Sequence, residues 1–119
     1  MQNVFDSLQN KCVGLALSGG AVRGLAHIGV IKALQENGIR PAVVAGTSVG
    51  SIVGAALAAG MDWREIADMA RSIFWPRLLH GKTLERFSAQ YLPAAFDHLE
   101  TRFAAVATLV PLNQPHTIS

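Results

Sequence analysis

A single cysteine, Cys12, stands among 119 residues, so no intrachain disulfide can form, and no Cys/His group has zinc-ligand spacing. A reducing compartment is the default expectation. Charge is scarce as well: 15% of residues are Asp, Glu, Lys or Arg, too few for a disordered or acidic chain. The 10 Lys and Arg are scattered without a dense basic block, which gives nucleic-acid binding no support. The opening MQNVFDSLQNKC has no basic start followed by an apolar run, and it contains Asp6, so it does not read as a secretory signal. A cytoplasmic protein is expected. What the chain has in quantity is apolar side chains, 50% of the total, which suits one small α/β domain with a buried core. For so short a chain that is a greasy composition, because small domains have much surface and little interior.

Residues 41–61, PAVVAGTSVGSIVGAALAAGM, carry no charge and are long enough on paper to span about 30 Å of hydrocarbon. Gly46, Gly50 and Gly54 even fall at GxxxG spacing, which packs membrane helices closely. Pro41, Thr47, Ser48 and Ser51 make a poor lipid-facing surface, however, and the stretch divides more naturally into strand, turn and helix. Ala42 to Ala45 form a short apolar strand, and a buried helix runs from Val49 to a stop at Gly60. No transmembrane helix is expected.

The same alternation extends along the chain. Val13 to Leu17 predicts a strand, broken by Ser18, Gly19 and Gly20. From about Arg23 a helix follows, with Leu25, Ile28, Ile31 and Leu34 on one face and Gly38 as its stop. Asp62 and Glu65 have capping-box spacing and start a third helix, expected to reach about Ile73 before Pro76. A further helix is expected over Thr83 to Tyr91 and a strand over Phe103 to Thr108, and Pro111 to Ser119 reads as a polar tail. This order predicts an α/β fold, a parallel sheet with helices on both faces. The domain proper is expected over 13–110, after a lead-in of 1–12 and before a tail of 111–119.

Two motifs stand at strand-to-helix junctions. Gly46-Thr47-Ser48-Val49-Gly50 is a GxSxG, and at such a junction a sharp elbow lifts the serine hydroxyl out of the sheet. The serine then lies at a helix N-terminus, where free amides favour a developing anion. Ser48 could equally be a helix cap and the glycines packing sites. Ser18-Gly19-Gly20-Ala21-Val22-Arg23-Gly24 is a glycine-rich loop whose amides suit a phosphate or an oxyanion. A dinucleotide site fits poorly, because Ala21 replaces the middle glycine of GxGxxG and the second strand carries no acidic residue. An anion-binding loop at one strand end and an exposed serine at the next would face the same sheet edge.

Together the runs LALSGGAVRGLAHIGVIKALQENGI and VVAGTSVGSIVGAALAAG resemble the opening of the patatin-like phospholipase family. The likeness is close over Val13 to Ile73 and looser over FAAVAT, residues 103–108. It implies a three-layer patatin-like fold and hydrolysis of lipid or other acyl esters by a serine–aspartate dyad, with no cofactor or metal. Ser48 would be the nucleophile. The loop of Gly19, Gly20, Ala21, Val22, Arg23 and Gly24 would supply the oxyanion hole, with Arg23 where the family places a basic residue. His27 is not the family's base and is expected to pack or hydrogen-bond.

One departure bears on activity. The family's aspartate sits in an Asp-Gly turn, and this chain has no Asp-Gly; after Ser48 its aspartates are Asp62, Asp68 and Asp97. The resemblance is to the amino-terminal part of a patatin domain that ends before its base. Near-inactivity of this chain alone is therefore expected, with a non-catalytic lipid- or anion-binding module of the same fold as the alternative. The apolar excess reads as the exposed side of an unfinished core, since a parallel sheet needs cover on both faces. Phe74 and Trp75, flanked by Arg71, Arg77 and Lys82, offer a possible lipid-headgroup contact, against a bland reading as a buried loop.

Overall fold

The computed structural model describes residues 3–72, 86, 89–90, 96–109 and 114–118. In order these form α1 (Val4–Leu8), β1 (Gly14–Leu17), a 3-10 turn (Ala21–Leu25), α2 (Ala26–Glu36), β2 (Val43–Gly46), α3 (Val49–Ala58) and α4 (Trp63–Ser72). A second 3-10 turn (Phe96–His98), β3 (Arg102–Leu109) and β4 (Gln114–Ile118) follow. Of the helix expected over Thr83–Tyr91, Arg86, Ala89 and Gln90 are helical and the rest lies outside the described residues.

The sheet runs in the order β1-β2-β3-β4, with β1, β2 and β3 parallel and β4 antiparallel to β3. Because β1, β2 and β3 step across the sheet in one direction, right-handed crossovers carry their helices to the same face. There α3 lies against all three parallel strands, and α4 packs on both α2 and α3. The strand register puts Leu15, Val44 and Phe103 in one row on that face, with Leu17, Gly46 and Ala105 in the next. Val44, Leu17 and Phe103 are buried there against Val53 and Val49 of α3 and Ile31 of α2. The opposite face, with Gly14, Ala16 and Val43, is more open among the described residues, and Val43 keeps 44% of its surface. Part of the greasy composition is spent on that open side.

Helix ends follow the sequence signals. Both α2 and α3 close with a glycine in the left-handed region, Gly38 at φ 69° and Gly60 at φ 97°. In each case the next amide reaches back five residues, Ile39 N–H to the Leu34 carbonyl and Met61 N–H to that of Ala56, so a terminal carbonyl is satisfied. The capping box of α4 is formed: the Glu65 N–H donates to Asp62 Oδ1 at 2.9 Å and the Asp62 N–H to Glu65 Oε1 at 3.4 Å.

Two expectations need correction. Leu25 does not share the buried face of Ile28, Ile31 and Leu34; it ends a 3-10 turn and is 42% exposed. The tighter three-residue winding of that turn shifts its phase relative to the helix that follows. Residues 114–118, read as part of a polar tail, form β4.

Candidate active site

Parallel pairing brings two loops to one sheet edge. Leu17 and Gly46 are register partners at the C-terminal ends of β1 and β2, so Ser18–Gly20 and Thr47–Ser48 leave the sheet side by side. The Thr47 N–H donates to the Leu17 carbonyl at 3.1 Å, extending the pairing into the turn. This edge, at the carboxyl ends of parallel strands, is where open α/β sheets bind ligands.

Ser48 occupies φ 52°, ψ −128°, and among the described residues no other non-glycine residue has positive φ. Such a conformation costs of order 1–3 kcal/mol and persists only when its surroundings enforce it. The enforcement is visible. Gly50 N–H and Ser51 N–H donate to the Thr47 and Ser48 carbonyls, both at 2.9 Å, starting α3 within two residues of the end of β2. So sharp a reversal presses β2, α3 and β1 together. A Cβ on Gly46 would meet the backbone of Gly50, and one on Gly50 would lie 2.7 Å from the Ser18 carbonyl oxygen. Ser48 is left exposed at the start of α3, and its side chain makes no capping bond. A serine that does not cap its helix has its hydroxyl available for other chemistry.

The glycine loop lies directly beside that serine. A Cβ on Gly19 would stand 3.0 Å from Ser48 Cβ and 3.7 Å from its Oγ. Gly20 takes φ 142° and opens the 3-10 turn, so the residue that needs glycine's freedom here is Gly20. Ala21, inside the turn, has ordinary helical geometry, which explains why alanine is accommodated there. The Arg23 N–H turns inward to the Gly20 carbonyl at 3.0 Å, and Gly24 is packed so tightly on Val49 that a Cβ would collide with its side chain. Of the loop, Gly19 is thus in contact with the serine, while the Arg23 amide is spent within the loop.

His27, in the first turn of α2, places Nε2 2.8 Å from the Ser18 carbonyl oxygen. The three aspartates that follow Ser48 are elsewhere. Asp62 caps α4, beyond the far end of α3. Asp97 precedes β3, whose start is tied to that same end of α3 by the Thr101 N–H donating to the Ala58 carbonyl at 3.0 Å. Asp68 is exposed and pairs with Arg71 at 2.8 Å. A cleft of about 420 Å³ also lies at this far edge, lined by Ile39, Arg40, Met61, Trp63 and Glu100 among others, away from Ser48. Phe74 and Trp75 lie outside the described residues. No helix among the described residues is long and apolar enough to cross a membrane.

Known proteins share sequence and fold with this chain. Lysophospholipase NTE1 of Pyricularia oryzae is 56% identical over 55 residues, 46% of this chain and 4% of that protein. The patatin-like phospholipase domain-containing protein ZK370.4 of Caenorhabditis elegans is 41% identical over 78 residues, 60% of this chain and 6% of that protein. The crystal structure of the type III effector protein ExoU superposes with a TM-score of 0.51 at 38% identity, covering 61% of this chain and 14% of ExoU. The chain thus corresponds to a small fraction of each relative. The family model described as patatin-like phospholipase matches residues 15–117. Taking in both loops and all but the two end residues of the sheet, that match shows that the chain belongs to the patatin-like phospholipase family.

Proposed function

We propose that this chain carries the acyl-accepting half of a serine hydrolase of lipid esters, with Ser48 as nucleophile and the Gly19 and Gly20 amides as oxyanion donors. The observation that carries the proposal is the strained elbow at Ser48, φ 52°, set flush against Gly19. In the reaction Ser48 Oγ bonds to the ester carbonyl carbon while its proton passes to a base, and the π pair moves onto the carbonyl oxygen. Collapse of the tetrahedral state then breaks the bond to the alcohol oxygen, which leaves with a proton. The carbonyl oxygen needs donors at the position it reaches in the tetrahedral state, where preorganised amides are worth most. The positive end of α3 adds to the same stabilisation. No metal or cofactor is required for this step.

Its test separates oxyanion binding from proton transfer. A medium-chain alkyl trifluoromethyl ketone forms a hemiketal with an acyl-accepting serine at equilibrium, the serine proton passing to buffer, so a general base affects how fast the adduct forms but not how much. A ¹⁹F resonance of a protein-bound hemiketal is expected, lost in Ser48→Ala. No adduct at millimolar ketone would overturn the proposal.

The positions of Asp62, Asp68 and Asp97 favour a second reading, a non-catalytic lipid- or anion-binding module of the same fold. It predicts unchanged binding of a phospholipid micelle by Ser48→Ala and no hemiketal. We further propose that the chain acts in the cytoplasm and touches membranes through Phe74 and Trp75. Flotation with anionic vesicles is expected, reduced severalfold by Trp75→Ala; flotation unaffected by that change would remove the contact.

A further inference from the structure

We infer that His27 is a positioning residue that locks the Ser18–Gly19 peptide so that the Gly19 N–H stays aimed into the oxyanion site; the inference rests on the reading of Ser48 as acyl acceptor. Three observations converge on this one peptide. His27 Nε2 stands 2.8 Å from the Ser18 carbonyl oxygen. A carbonyl only accepts, so Nε2 must carry the proton, and neutral His27 is the Nε2–H tautomer. The same oxygen lies over Gly50, where an added Cβ would be 2.7 Å away. On the other side of the peptide, Gly19 abuts Ser48, with its built Cβ 3.0 Å from Ser48 Cβ.

The consequence follows from peptide geometry. In a planar trans peptide the carbonyl and the next N–H point in opposite directions. Fixing the Ser18 carbonyl between α2 and α3 therefore fixes the direction of the Gly19 N–H. Something must fix it, because this plane turns about ψ of Ser18 and φ of Gly19, and glycine puts little steric restraint on φ. A rotated plane would present the Ser18 carbonyl oxygen where the developing oxyanion needs a donor, exchanging attraction for repulsion. The bond also removes Nε2 from acid–base duty, since its proton is held by the carbonyl. His27 acts on the reaction through the backbone, nine residues back in the chain.

The test uses the full chain and the trifluoromethyl ketone, with His27→Ala and His27→Gln. Glutamine keeps an N–H donor at similar reach, so it distinguishes the hydrogen bond from the ring's bulk. His27→Ala is expected to weaken the hemiketal by about 10- to 100-fold, less than the ~10²–10³ for outright loss of one oxyanion donor, because the Gly19 amide is loosened and not removed. His27→Gln should recover affinity to within about threefold of the native chain, on the ground that the donor is retained. A purely structural role would instead lower melting temperature in both variants and leave the affinity of the folded fraction unchanged. The amide resonance of ¹⁵N-labelled Gly19 supplies a readout independent of chemistry, expected to move in His27→Ala and return in His27→Gln. Unchanged affinity with an unmoved Gly19 resonance in folded His27→Ala overturns the lock. If the native chain forms no hemiketal while Gly19 still responds to His27, the acyl-acceptor reading fails and the lock stands as a feature of the loop alone.

Discussion

Gly50→Ala is expected to destabilise the fold by about 3 kcal/mol, the upper part of the range for overpacking a close-packed interior, whereas Gly29→Ala should stabilise it by about 0.5–1 kcal/mol. The same methyl group is added in both, so the opposite signs isolate what surrounds it. At Gly50 the new Cβ would meet the Leu17 carbonyl and the Ser18 carbonyl oxygen, the carbonyl carbon and that oxygen both at 2.7 Å. These are backbone atoms of β1 and the loop after it, with no flexible side chain to swing aside. Relief requires lifting α3 from the sheet, which also opens the contacts of Val49 and Val53 with the core. At Gly29, in the interior of α2, nothing lies within 4 Å of the added atom, and alanine loses less backbone freedom on folding. Urea unfolding of the two variants measures both effects. Equal midpoints, or a stable and cooperative Gly50→Ala protein, would show that α3 does not press on β1 as closely as described.

Gly50 also shows what the sequence can and cannot tell. The GxxxG spacing of Gly46, Gly50 and Gly54 was open to a membrane reading, and the close approach it signals is real. Its partners are different: Gly46 meets the first turn of α3, Gly50 meets β1, and Gly54 lies 3.1 Å, at its built Cβ, from Phe103 and Val44. Spacing reports that backbones come near one another and is silent on which ones. β1, β2, α3 and the start of α4 were legible to within a residue or two, because Gly46, Gly60 and the Asp62–Glu65 box punctuate them locally. β4 was not legible, since its polar residues and Pro115 carry no strand signal of their own. It forms as the partner of β3 in an antiparallel pair at the sheet edge, where proline is tolerated. Of the site, the serine and the glycine loop were readable as motifs, and their juxtaposition followed from parallel order. That the Arg23 N–H turns inward to the Gly20 carbonyl is something no residue pattern reveals.

Hydrolysis of a short-chain p-nitrophenyl ester by this chain is expected to run about 10²–10⁴-fold below that of the same elbow served by a positioned carboxylate, the usual worth of general-base help. A neutral serine hydroxyl is a weak nucleophile until an acceptor takes its proton as the bond to carbon forms. The aspartates that follow Ser48 are poorly sited for this. Asp62 lies past the end of α3, whose 10 residues separate it from Ser48 by about 15 Å at ~1.5 Å per residue. Asp97 belongs to the same far edge, and Asp68 is exposed on α4 beside Arg71. The nitrophenolate leaves as an anion without needing a proton, so the assay is sensitive to the base and insensitive to an acid. Added formate can therefore stand in for the carboxylate: it accepts the Oγ proton while Oγ bonds to the acyl carbon, and Ser48 is exposed to it. A formate-dependent rate that saturates and vanishes in Ser48→Ala is expected. Fast hydrolysis without formate, abolished by Ser48→Ala, would mean that a group within this chain already serves as base. A formate effect equal in the native chain and in Ser48→Ala would instead be buffer catalysis in solution, and the elbow would then be shown to contribute geometry without reactivity.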